Sequence, residues 1–328
     1  MQNKNYNTRA LVESAIMAAI LIVTMFITVY VPIIRIITYL FLPTLLVLIY
    51  VRNGLKYALL GGICGFLVSL ILINPITVLG LGAVIFIVGL TFIYCIGTNK
   101  KPYQSILILT MAFIITNIIY VFLITILVYK SGFVGWVHNM VNQINDSINV
   151  TKNMYINMGM DKEQVERALA GIESINVNQV LWMTPFYLII MSLLSAFFNY
   201  KITYIIFSKI KIKIQELKGI NYFFIPNLIG AFMIILLCLG LIFRSRNMIV
   251  GEYLFYSTYS LLVVILSING IAAISYFLKY KLKFSNIFIV MTIILLFLVI
   301  SYVFIIIGLV ELIIDSRKLD PNRIRKSR

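Results

Sequence analysis

The stretch ALVESAIMAAILIVTMFITVY, residues 10–30, carries a single charged side chain, Glu13, and runs of the same character follow at residues 36–51, 57–73, 76–96, 104–129, 180–199, 222–243, 254–278 and 287–314. A helix rises 1.5 Å per residue, so about 20 apolar residues cross the ~30 Å hydrocarbon core of a bilayer. Hydrophobic residues fill 62% of the 328 positions, and the mean hydropathy is +1.03. A water-soluble domain of that composition would be left with large apolar patches. The chain therefore reads as an all-α, polytopic membrane bundle with eight or nine spans.

A formal net charge of +16 invites a nucleic-acid reading, which the placement of the cations excludes. They line no single helical face but sit in short connectors, where they report topology. With the N-terminus in the cytoplasm of a plasma-membrane protein, Arg52, Lys56, Lys100, Lys101, Lys201, Lys209, Lys211, Lys213, Lys218, Lys279, Lys281 and Lys283 all fall inside. Arg244 and Arg246 fall outside, against the pattern. Nine full spans would also leave the basic tail, residues 317–328, outside. The last apolar run is longer than one span needs and shorter than two. It reads either as a short hairpin bending between Ser301 and Gly308, which returns the tail to the cytoplasm, or as one long tilted helix with the tail outside. A bend within lipid requires that its freed backbone groups be buried in protein.

Between the fifth and sixth runs, residues 131–179 leave the lipid on the outer side. Phe133, Trp136, Val137, Met140, Val141, Ile144, Ile148, Thr151, Tyr155 and Met158 recur at three-and-four spacing, the pattern of an amphipathic helix. A second helix is expected from Asp161, an N-cap with Gln164 three residues on, and the two join at Gly159. The pair reads as a hairpin on the membrane surface or as a lid over an outward-facing pocket.

Charged groups inside spans are functional candidates because lipid makes them costly. Glu13, expected in the first turn of the first helix, complements the helix dipole there. Arg35, in the short outer connector, either snorkels or faces an anionic ligand. Glu311 has Arg317 or Lys318 as its natural partner. Among uncharged polar residues, Asn74, Thr116, Asn117, Tyr120, Tyr256, Ser257, Tyr259 and Asn269 stand out, although such groups commonly bond a neighbouring helix. Cys64, Cys95 and Cys238 lie in apolar runs without CxxC spacing and read as packing residues. His138 is the one histidine, so no metal site is expected. With no phosphate loop, HExxH motif or nucleophilic triad, the chain is read as having no catalytic residue and no cofactor. Ala15 and Ala19 form an AxxxA pattern that lets another helix approach, and Gly61, Gly62 and Gly65 offer a similar surface.

The segment LPTLLVLIYVRNGLKYALLGGICG (42–65), with Pro43, Arg52 and Gly54, and the ending GLVELIIDSRKLDPNR (308–323) resemble the YybS family, also called DUF2232, of Firmicute membrane proteins. The resemblance covers nearly the whole chain. The order of features in the first 200 residues is also similar to the substrate-binding S components of energy-coupling-factor transporters. That similarity implies a six-span unit at residues 1–200, including the insert, and a C-terminal membrane unit of two to three spans with a basic tail at 201–328. It further implies a small-molecule ligand near the outer face, at Arg35, Asn74, Asn117, Tyr120 and Trp136, and a coupling membrane subunit with ATPases at Ala15 and Ala19. The long insert and the C-terminal spans have no counterpart in S components. The rival expectation is a non-transporting scaffold or regulatory protein of the envelope, its basic connectors on anionic membrane lipid.

Overall fold

The computed structural model describes residues 2–129, 132–173, 176–212, 214–217 and 219–320. Lys213 and Lys218, the first residue of the 131–179 insert and positions 321–328 of the basic tail lie outside them. The described residues form fourteen α-helices and no strand. These are α1 Gln2–Tyr30, α2 Arg35–Asn53, α3 Leu55–Leu72, α4 Pro75–Ala83, α5 Gly89–Gly97, α6 Pro102–Leu127, α7 Gly132–Asn157 and α8 Lys162–Glu173. They continue as α9 Val177–Trp182, α10 Thr184–Lys209, α11 Asn227–Ser245, α12 Ile249–Tyr280, α13 Asn286–Val299 and α14 Tyr302–Ile314. Among them, eight runs are long and apolar enough to cross a membrane: Thr8–Tyr30, Pro32–Asn53, Leu55–Leu72, Pro75–Gly97, Pro102–Leu127, Thr184–Lys209, Asn227–Ser245 and Ile249–Tyr280. The fourth joins α4 to α5 through one π-helical turn at Val84–Val88.

The chain divides into two compact units, Met1–Val177 with Leu188–Leu217, and Asn178–Tyr187 with Lys218–Arg328. The chain crosses between them at 177/178, 187/188 and 217/218, against the single expected boundary at 200/201. Position 200 lies inside unbroken α10. There the Tyr200 ring stacks on Phe92 at 5.6 Å, and its hydroxyl donates to the Gln215 carbonyl at 2.8 Å. Those contacts tie the segment after α10 to the first unit.

In the first unit the core gathers on α2, whose Leu42, Leu45, Leu46 and Ile49 are buried with Leu21 and Met25 of α1, Ile85, Phe92, and Phe113 of α6. Pro43 interrupts the α2 hydrogen-bond ladder, since proline has no N–H to donate. Beside it, Asn199 Nδ2 of α10 donates to the Leu40 carbonyl at 2.6 Å, and Thr44 and Thr203 join their hydroxyls at 2.8 Å. Helices α1 and α3 cross closely through small residues. A methyl group on Gly61 would stand 3.1 Å from the Ser14 carbonyl, and one on Gly65 would stand 3.3 Å from that of Ala18. The insert forms α7 and α8, which turn at Gly159, where φ is +88°, and Lys152 pairs with Glu166 at 3.1 Å. Val137, Val141, Ile148 and Val165 are buried, while Met140, Tyr155 and Met158 of the expected stripe stay exposed.

Two local readings are corrected. Helix α1 begins at Gln2, so Glu13 sits three turns inside it rather than in its first turn. The polar residues before position 10 simply extend the helix. Cys64 and Cys238 are exposed on their helices, and only Cys95 is buried for packing.

In the second unit, α13 and α14 are bent by 112° at Ile300–Ser301, the near edge of the expected window. With 14 and 13 residues each is about 20 Å long, too short to cross the ~30 Å core alone. Both open ends lie beside one connector. Tyr280, ending α12 just before α13, bonds the Tyr222 hydroxyl at 2.7 Å and accepts from Asn221 Nδ2 at 3.3 Å. Just past α14, Arg317 donates to the carbonyls of Asn221 and Phe223 at 3.2 and 2.9 Å. That shared connector favours a re-entrant hairpin over a single bent span. Cysteines placed at Lys283 and Lys318, in a chain lacking Cys64, Cys95 and Cys238, are expected to react with an impermeant maleimide from the same side, and one at Asn247 from the other. Opposite labelling of positions 283 and 318 would make the pair a full span.

Candidate functional site

Helix α1 exposes one small-residue face and buries another. Ser14, Ala18 and Leu21 pack inward on Gly61 and Gly65 of α3, whereas Ala15 and Ala19 point away from the unit and are exposed. The AxxxA pattern is therefore left available to a helix from outside the chain.

The five residues suggested for a ligand are placed differently from one another. Arg35 opens α2, exposed, and its guanidinium makes no ion pair or hydrogen bond among the described residues. Asn74 is the N-cap of α4, its side-chain oxygen accepting from Ile76 N at 3.0 Å. Asn117 Nδ2 donates to Ser192 Oγ at 3.0 Å, linking α6 to α10. The Tyr120 ring lies against Gly80, where a side chain would displace it. Trp136 is half-buried on α7, its ring 5.8 Å from that of Phe133. Asn74 and Asn117 thus already have partners within the protein, and the Arg35 guanidinium has none among the described residues.

The densest polar centre lies in the second unit. Arg317 Nε donates to Glu311 Oε1 at 2.8 Å, Nη2 to Asn269 Oδ1 at 3.0 Å, and Nη1 to the two connector carbonyls. Ser316 Oγ donates to the other Glu311 oxygen, and Asn269 Nδ2 donates to the Gly308 carbonyl at 3.0 Å. The ion-paired side chains are 2% and 6% exposed. Beside them the cavity is about 10 Å³, room for one water. Every strong donor of this centre is spent internally, so it holds structure. Spacing pointed to the Glu311 pairing; the convergence of Asn269 and the 221–223 carbonyls had no sequence signal, because they are remote in the chain.

Arg244, one of the two outliers of the charge pattern, is neutralised within the same unit, while Arg246 is exposed. Its Nε stands 3.2 Å from Glu252 Oε2, and its guanidinium lies 5.0 and 5.2 Å from the rings of Phe255 and Tyr256. Tyr256 stacks on Trp182 at 5.3 Å, and Ser257 Oγ donates to the Trp182 carbonyl at 2.8 Å. A paired, ring-stacked guanidinium is a weaker topological signal than the lysines of the other connectors.

Among the described residues, no group of three or more His, Cys, Asp or Glu is placed to hold a metal ion. Nothing among curated proteins or solved structures matches the chain. A family model, described as a predicted membrane protein (DUF2232), matches residues 19–312 and so takes in seven of the eight spans whole, about half of the first, and the bent pair α13–α14 up to Leu312. The chain belongs to the DUF2232 family of membrane proteins.

Proposed function

We propose that this multi-pass protein is the small-molecule-binding or transport subunit of a plasma-membrane assembly, similar in plan to the S components of energy-coupling-factor transporters. The observation that carries the reading is the unoccupied Ala15–Ala19 face of α1, beside a Ser14–Ala18 face already used by α3. In lipid, helices associate through close packing of small residues rather than through hydrophobic exclusion, so an exposed small face is where a partner helix gains most. The partner would be a coupling membrane subunit served by ATPases, since the chain has no nucleotide-binding motif. Arg35 supports an anionic or carboxylate-bearing ligand arriving from the side of the insert, its guanidinium being uncommitted. Both termini are assigned to the cytoplasm, in keeping with the lysines of the connectors.

Replacing Ala15 and Ala19 together by leucine is expected to reduce copurification of the partner by about tenfold or more while leaving the fold intact, because both side chains point outward. Unchanged copurification removes the docking claim. Native mass spectrometry of the gently extracted protein tests the ligand claim separately. A retained small molecule lost in Arg35→Gln supports it, and retention unaffected by that change refutes the role of Arg35.

The rival reading is a non-transporting envelope scaffold, favoured by the internal bonds that occupy Asn74 and Asn117. Photocrosslinkers at the exposed Met154 and Met158 of the insert distinguish the two: a scaffold captures an envelope protein there, and a lid does not.

A further inference from the structure

A cleft of about 410 Å³ opens where the N-terminal part of α1 meets the end of α2, lined by Arg9, Ala10, Glu13, Arg52 and Asn53. Its charged groups are unequally engaged. Glu13 is held on both oxygens, Oε1 accepting from Arg9 Nε at 3.1 Å and Oε2 from Asn53 Nδ2 at 3.4 Å. Those two bonds hold the Glu13 carboxylate in place, and the charges of Arg9 and Arg52 both act on it, which leaves one positive charge in excess over the three groups. Arg52, in the last turn of α2, is exposed and makes no ion pair or side-chain hydrogen bond among the described residues. The cleft therefore has a net positive charge from an uncommitted guanidinium, and the Nη groups of Arg9 add donors at its rim.

Its depth in the membrane follows from the spans that form it. Arg9 lies at the start of the first span, Thr8–Tyr30, and Arg52 and Asn53 end the second, Pro32–Asn53. The cleft is thus at the level where hydrocarbon gives way to headgroups. Immediately beyond the charged residues, Leu11, Val12 and Ile16 of α1 and Leu55 and Leu60 of α3 are exposed apolar side chains. A small aqueous anion would gain nothing from that apolar border, whereas acyl chains would lie along it.

We propose that this cleft binds the phosphate of an anionic phospholipid, with Arg52 as the principal donor, Arg9 assisting, and the acyl chains on the exposed faces of α1 and α3. Guanidinium N–H groups match a phosphate in a paired fashion that ammonium groups do not. Basic pockets between helices at a membrane surface are suited to this headgroup chemistry. Glu13 is a positioning residue: by holding Arg9 and Asn53 it keeps the ends of α1 and α2 in register without meeting the lipid. The Arg52 contact needs no transported ligand, but Leu11 lies one turn before Ala15 on the same face of α1, so acyl chains there and a helix docked on Ala15 and Ala19 compete for one surface.

The test uses the full-length protein in micelles, with phosphatidylglycerol and phosphatidylcholine supplied in equal amounts and bound lipids counted by native mass spectrometry. Wild type is expected to retain phosphatidylglycerol in preference to phosphatidylcholine. Arg52→Gln is expected to lower that retention by about tenfold, the worth of one charge-assisted contact. Arg246→Gln, an exposed arginine of the other unit, should leave it unchanged. Equal retention by wild type and Arg52→Gln overturns the proposal. So does displacement of the lipid by inorganic phosphate, which would make this a site for a free anion. Because Arg52 is exposed and unpaired, its replacement is expected to leave the melting temperature unaltered. Should that variant unfold, Arg52→Lys keeps the charge and loses the paired geometry, and undiminished retention in it refutes the guanidinium role.

Discussion

Arg317→Ala is expected to destabilise the second unit by about 3–5 kcal/mol, the range measured when one partner of a buried ion pair is removed. The deletion strands Glu311, whose side chain is only 6% exposed, and takes donors from Asn269 and from the carbonyls of Asn221 and Phe223. Such groups were desolvated on folding and would find no replacement partner. The loss therefore exceeds that of one surface salt bridge several-fold. Glu311→Gln should cost less, because a neutral amide can still accept from Arg317. Replacing both, Glu311→Leu with Arg317→Met, should recover much of the loss, since an apolar pair carries no unpaired charge. Thermal unfolding in micelles, with protease sensitivity of residues 218–320 as a local readout, checks the order. If the single and double variants are equally unstable, the centre acts through shape and not through its charges.

An effect of comparable size is expected where α12 and α14 cross. A methyl group built on Gly308 would overlap the Leu266 carbonyl, and one on Gly270 would overlap the Phe304 carbonyl. Both obstacles are backbone, so no side chain can rotate away. Accommodating Gly308→Leu requires the helices to separate, which also breaks the bond from Asn269 Nδ2 to the Gly308 carbonyl and draws Arg317 from Asn269. Overpacking alone commonly costs about 1–3 kcal/mol, and the lost buried bonds add to it. We expect Gly308→Leu to abolish the re-entrant packing, seen as labelling of position 318 that no longer follows that of 283. Gly54→Ala is the contrasting glycine change: no atom lies within 4 Å of the added methyl, and the cost is confined to a backbone φ of +86°. Equal damage from both substitutions would refute the close-approach argument.

The candidate site was partly legible for related reasons. Glu311 and Arg317 lie six residues apart at the end of one helix, so their pairing follows from proximity in the chain. Asn74, a ligand candidate by sequence, proves to be the N-cap of α4, a role that the Asn-Pro pair signals. Asn117 carried no indication of its partner, since Ser192 is 75 residues away. Of the cleft of Arg9 and Arg52, only Arg52 stood out in the sequence, as a connector cation. Their convergence depends on how α1 returns alongside α2.

Hydropathy determined the all-helical, membrane-spanning class and the position of each span, because transfer into lipid depends on what each residue is and not on what it touches. The excess length of the last apolar run left a bend and a long tilted helix both open, and the structure has the bend. Tertiary structure decided which face of each helix is inside. In water, burial leaves an amphipathic stripe in the sequence, but in a bilayer both the lipid and the neighbouring helix are apolar. Ser14 and Ala18 could therefore not be told in advance from Ala15 and Ala19, although the first pair meets α3 and the second is open. The same indifference hid the meeting of Asn221, Asn269, Glu311 and Arg317, which only the folding of α14 back along α12 brings together.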